Sequence, residues 1–158
     1  MNDTSHSDYA RRYDSEAKIR ALVDGVLNGT WPEPDWKHRE HCVATAGLML
    51  LKPEIDLDRE LPGIIQRYNV AQGGANTDTE GYHHTITLLY LAAIRDFLQS
   101  NAVGVDLVEA MRQLLLSSVG RKDYPFTYYR RETLFSKDAR RGWIAPDLAQ
   151  PSYPVGPV

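Results

Sequence analysis

Apolar residues recur every three to four positions through five successive stretches of this chain, and no convincing alternating run appears, so helices are expected and strands are not. Ile19, Leu22, Val23, Val26 and Leu27 mark a first helix, capped by Asp14 or Ser15 and stopped at Asn28-Gly29. Trp31-Pro32-Glu33-Pro34 reads as a rigid connector. Asp35 then caps a second helix running to about Lys52, with Pro53 as its stop. A third helix is expected from about Leu61, since proline is tolerated in a first turn and Pro62 follows directly. Leu61, Ile64, Ile65, Tyr68 and Ala71 form its apolar stripe, and Gly73-Gly74 ends it. Thr77-Asp78-Thr79-Glu80 reads as a capping box opening a fourth helix to about Gln99. A fifth spans Asp106 to about Ser118. Tyr128 to Phe135 fits a short helix, and Ser136-Lys137-Asp138 fits the cap of one more turn. The fold class expected is all-α: an antiparallel bundle of four or five helices with an irregular C-terminal segment.

A chain of 158 residues suffices for one such core. Residues 1–13 read as an extended polar arm, 14–145 as a single helical domain, and 146–158 as a tail carrying Pro146, Pro151, Pro154 and Pro157. The longest apolar run, Leu48–Leu51, is too short for a membrane helix, and no secretion signal is read at the start. A net charge of −3 disfavours nucleic acid, whose binders carry a basic footprint. Cys42 is the only cysteine, which excludes an internal disulfide and fits a cytoplasmic location. No G-x-S-x-G, P-loop, G-x-G-x-x-G or C-x-x-C pattern occurs, which removes serine-hydrolase, nucleotide-phosphate and zinc-finger readings.

The histidines carry the functional signal. His6 lies in the arm. On a wheel of the second helix, His38, His41 and Thr45 fall within about 60° of one another, whereas Lys37, Arg39 and Glu40 point elsewhere. Imidazoles at i and i+3 stand about 5–6 Å apart at Cβ, near enough to share one metal. In the fourth helix His83 sits at the edge of the stripe formed by Tyr82, Ile86, Leu89, Tyr90, Ala93 and Phe97, and His84 turns away. His41 follows Asp35 by six residues and His83 follows Thr77 by six. In an alternating bundle both would lie about 9 Å inside their helix starts, at one end. His38, His41 and His83 are therefore the expected ligands of a divalent metal: zinc, iron, manganese or nickel. The plain alternative is a hydrogen-bonded polar cluster with Thr45, Thr87 and tyrosine hydroxyls.

Glu80, one turn before His83, is the candidate catalytic group, as fourth ligand or general base; its ordinary role is the capping box. Tyr68, Asn69, Tyr82, Thr87 and Tyr128 are candidate contacts to a small polar substrate. Arg130-Arg131 and Arg140-Arg141, with Trp143, suit an anionic group or a subunit interface; solvated pairing with Glu132 and Asp138 is their ordinary reading. Cys42 points off the histidine face.

Trp36-x-His38-x-x-His41, Tyr68-Asn69, Asn76-Thr77 and Gly81-Tyr82-His83-x-Thr85-Ile86-Thr87 resemble a small uncharacterised bacterial family, as do Leu134, Ser136, Ala139-Arg140, Trp143 and Pro146-Asp147-Leu148. The resemblance spans about Trp36 to Leu148 and implies no reaction. The position of His84 is often glutamate in such proteins. A weaker likeness is to DinB/YfiT-type four-helix bundles, which implies a metal held by three histidines from different helices. The later H-x-x-x-H-type pair of that family is missing here, because His83 and His84 are adjacent. Two functions are expected from these residues. One is a metal-binding bundle acting on a small molecule. The other is a non-catalytic module with structural histidines that forms a homodimer through its C-terminal segment.

Overall fold

Five helices of ten residues or more carry the fold of residues 8–157, the part of the chain that the structure, a computed structural model, describes. They are α1 (Glu16–Asn28), α2 (His38–Leu51), α3 (Leu57–Ala71), α4 (His84–Asn101) and α5 (Leu107–Leu116), followed by the short α6 (Arg131–Leu134) and α7 (Lys137–Arg141). No strand occurs among the described residues, and no helix there is long and apolar enough to cross a membrane. The all-α bundle with an irregular C-terminal segment is the architecture expected from the apolar spacing.

Local chemistry sets several of the helix ends. Ser15 accepts the Lys18 amide at 3.3 Å and Asp106 accepts the Glu109 amide at 2.9 Å, satisfying donors that a helix start leaves unpaired. Gly29, at φ 72, ends α1 in the left-handed region. At the core, α2 packs against α1, α4 and α5. Its run from Cys42 to Leu48 is buried without a break, so this helix is apolar over most of its circumference. Gly47 lets α1 approach: a Cβ there would stand 2.5 Å from the Val23 side chain. Ile19, Leu22, Leu89, Ile94, Met111 and Leu114 are fully buried in the main cluster, each worth about 1.5–3 kcal/mol.

Three starts differ from expectation. Glu33–Asp35 forms a 3-10 turn, Trp36 leaves the helical path at ψ 83, and α2 begins at His38 rather than after Asp35. α3 begins at Leu57, a turn before Leu61, and takes Pro62 inside. Buried Leu57 and the Asp58–Arg95 pair (3.0 Å) anchor that added turn, and the Glu60 carboxylate accepts the Asp56 amide at 3.1 Å. α4 begins at His84, not Thr77. The Thr77–Glu80 box closes a turn instead: the Thr77 hydroxyl accepts the Thr79 and Glu80 amides, and the Thr77 amide donates back to the Glu80 carbonyl. Gly81 then adopts φ 78, and a side chain there would strike the Ala75 carbonyl oxygen, so no helix runs through this point.

Residues 8–11 of the expected arm are helical, and Ala10 and Tyr13 are buried; the first seven residues, with His6, lie outside the described residues. Tyr13 donates its hydroxyl to Glu40 Oε2 at 2.7 Å, and Arg39 Nε donates to the same oxygen at 2.8 Å. Glu40 is thus directed away from the histidine face, yet inward, fully buried beneath this segment. The proline-rich tail wraps: the Leu148 amide bonds the Tyr128 carbonyl, and the Tyr153 hydroxyl meets that of Tyr124.

Candidate functional site: a cavity walled by imidazoles and aromatic rings

One cavity of about 900 Å³ opens between the start of α2, the start of α4 and the segment after α5. His38, His41 and His83 all line it, as do Asn69, Tyr82 and Thr87. Glu80 is exposed on the Thr77 turn and forms no part of the wall. Tyr68 and Tyr128 also stand off the cavity. Tyr68 lies behind Trp36, with ring centroids 4.8 Å apart, and donates its hydroxyl to the Trp31 carbonyl at 2.8 Å. Tyr128 bonds Tyr124 in the tail cluster.

The three histidines have distinct surroundings. His83 caps α4: its Nδ1 accepts the Ile86 amide at 3.2 Å. An accepting Nδ1 in a neutral ring leaves Nε2 protonated, and Nε2 stands 2.7 Å from the Leu134 carbonyl, to which it donates. Both nitrogens are therefore engaged, and the ring ties α4 to α6. His38 places Nε2 3.4 Å from Cys42 Sγ, with its ring against Tyr90. His41 stacks on the Trp36 indole, centroids 3.9 Å apart. Among the described residues nothing hydrogen-bonds the His41 ring, and Glu40 Oε1 is the sole buried side-chain oxygen or nitrogen without a partner. The His41 nitrogens thus face the cavity, open to whatever fills it.

Desolvation by surrounding protein disfavours the charged form of every ring here. It pushes His41 down from 6.5 to about 3, with the charge of His38 adding to the effect. His38 is lowered by burial and then by the Lys122 ammonium. His83 is lowered by burial, against its bond to Leu134. Burial pushes the Cys42 thiol up to about 12, which leaves it a protonated thiol rather than a nucleophile.

The expected convergence of His83 on the other pair thus exists as a shared wall. Among the described residues, however, no group of three or more His, Cys, Asp or Glu side chains lies close enough to hold a metal ion. Helix starts account for part of this. His41 is the fourth residue of α2, while His83 precedes the first residue of α4, a mismatch of about 6 Å along the axes. Wall residues outside the expected metal and substrate set include Trp36, Tyr90, Lys122, Phe126, Arg131, Leu134 and Phe135. Trp36 is marked by the Trp36-x-His38-x-x-His41 pattern, Tyr90 by the apolar stripe, Leu134 by the family resemblance and Arg131 by the Arg130-Arg131 pair expected to suit an anion; Lys122, Phe126 and Phe135 arrive by tertiary packing. No family model, curated protein or solved structure matches the chain.

Proposed function

We propose that the chain is a small-molecule-binding helical protein whose cavity offers an uncharged imidazole, His41, to its ligand. The observation that carries this reading is the His41 ring: packed against Trp36 at an interplanar angle of 35°, neutral, and without a hydrogen-bond partner among the described residues on the wall of a mostly apolar cavity. A cavity of about 900 Å³ is of the size that accommodates small organic ligands, and such sites pair apolar walls with a few placed polar groups. A ring whose pKa lies near 3 is a poor general base at neutral pH, where efficient bases sit near 7. It is a good hydrogen-bond partner for a carbonyl or hydroxyl, and this favours binding over acid–base catalysis by His41.

The uncharged fluorophore phenylnaphthylamine tests the cavity. Wild type is expected to enhance its emission, and Ile86→Trp, which fills the cavity from α4, to weaken binding by at least about tenfold with helical circular dichroism unchanged. An unresponsive fluorophore, or one indifferent to Ile86→Trp, removes the reading.

A divalent metal is the second reading, favoured by His38 and His41 lining the same wall one turn apart. Zinc, iron, manganese or nickel on that pair gains His83 only if the ring gives up Ile86 or Leu134. Elemental analysis of the untagged chain is then expected to show stoichiometric metal that His38→Ala abolishes. Metal-free protein after reconstitution with zinc and iron(II) rejects it.

A further inference from the structure

We infer that this cavity selects an organic monoanion: an apolar, ring-bearing body inside, with its acid group at a cationic mouth formed by Lys122, Arg131 and Lys37. The inference rests on the ligand-binding reading above and names the class of ligand. Of the chain's 18 lysines and arginines, eleven pair with a carboxylate. Lys37, Lys122 and Arg131 do not, among the described residues, and all three line this one cavity. The wall's single carboxylate, Asp123, is neutralised: Arg121 donates to each of its oxygens at 3.0 Å. The wall therefore carries an uncompensated positive charge in a chain whose net charge is −3.

Two features make this charge a directed one. The Arg131 guanidinium sits 5.2 Å from the ring centroids of both Phe126 and Phe135, which fixes its position and lowers the ordering cost of gripping an anion. Lys37 stands at the start of α2, a helix of 14 residues without a side-chain cap, so the positive end of its dipole lies on the same wall. Elsewhere the wall is aromatic and aliphatic through Trp36, Tyr90, Ile86 and Ile94, with His41 among its polar groups. An ion lacking an apolar body leaves that surface unused, and an uncharged hydrophobe leaves three cations uncompensated.

Anilinonaphthalenesulfonate and phenylnaphthylamine share an aromatic frame and differ by one sulfonate, so their affinities for the full chain isolate the charge. The sulfonate is expected to bind about tenfold more tightly than the neutral compound, with the advantage shrinking as salt is raised. Lys122→Gln and Arg131→Gln are each expected to weaken the sulfonate by about three- to tenfold and to leave the neutral compound within about twofold. If the neutral compound is displaced by Ile86→Trp while the sulfonate binds no better, or if the charge variants alter both compounds alike, the anion assignment is overturned and the cavity reading stands. If Ile86→Trp affects neither compound, the cavity reading falls and this inference with it.

Discussion

Wild-type protein is expected to lose about 3 kcal/mol of stability through His41 alone when the pH falls from 7 to 4. In the unfolded chain the ring takes up a proton as the pH drops through 6.5, while the folded ring resists until about 3. Between those values the unfolded state binds more protons, so His41's contribution is complete above 6.5 and is lost progressively below it. His38, His83 and His84 are all lowered, chiefly by burial, and act in the same direction. Glu109, held at about 2 by its bonds to Arg112 and Gln113, begins to lose its contribution as the pH falls through its ordinary value of 4.5, at the bottom of this window, and does so in any variant that leaves those bonds intact. His41→Phe keeps a flat ring against Trp36 and removes the titrating group. Urea midpoints at several pH values in that window should show the variant losing less stability than wild type by about 3 kcal/mol. Parallel curves for the two proteins would show that the His41 ring is solvated like an exposed histidine, and the account of its wall would fail with it.

Helix ends were readable where the determining chemistry is local. Ser15, Gly29, Asp106 and Ser136 act on amides or carbonyls within a few residues, and each sits where its type suggested. The misread starts share a different cause. The Thr77–Glu80 signature suits a free-standing turn as well as a helix cap, and the alternatives are separated by Gly81, whose backbone passes against Ala75. Pro62 was expected in a first turn, but Asp58 reaches Arg95 on α4 and the helix starts earlier. The site follows the same division. His38 and His41 share a wall because a separation of three residues puts both on one helix face. Trp36 on His41 depends on a non-helical bend at i and i+5, which a wheel does not show. His83 lines the same cavity as the other two, but the group that engages its Nε2, where a metal was expected, lies 51 residues downstream. Two of the three cations at the mouth, Lys122 and Arg131, come from the segment after α5, where periodicity fades, whereas Lys37 directly precedes α2. Side-chain type and spacing thus located the wall. Which nitrogens remain open on it is decided by partners distant in the chain.

His83 is the joint between the two halves of that wall, and replacing it is expected to cost about 2–4 kcal/mol. His83→Ala removes a helix cap and a bond to a buried carbonyl together, leaving the Ile86 amide and the Leu134 oxygen without partners. The two losses separate in His83→Asn. Asparagine is a good N-cap and recovers about 1 kcal/mol at Ile86, but its shorter side chain falls short of Leu134. Stability should therefore rank wild type, then His83→Asn, then His83→Ala in urea denaturation. Local opening should follow a different order. α6 packs on α7, which in turn packs on α4, and the Arg140 guanidinium donates to the Gly81 carbonyl beside His83. Without the Nε2 bond, both variants are expected to lose hydrogen-exchange protection alike across α6 and α7, while α1 and α5 change only with global stability. A His83→Ala variant within about 1 kcal/mol of wild type, or with α6 still protected, would show that the imidazole does not join these elements. Its nitrogens would then be available to a metal or a ligand in the cavity.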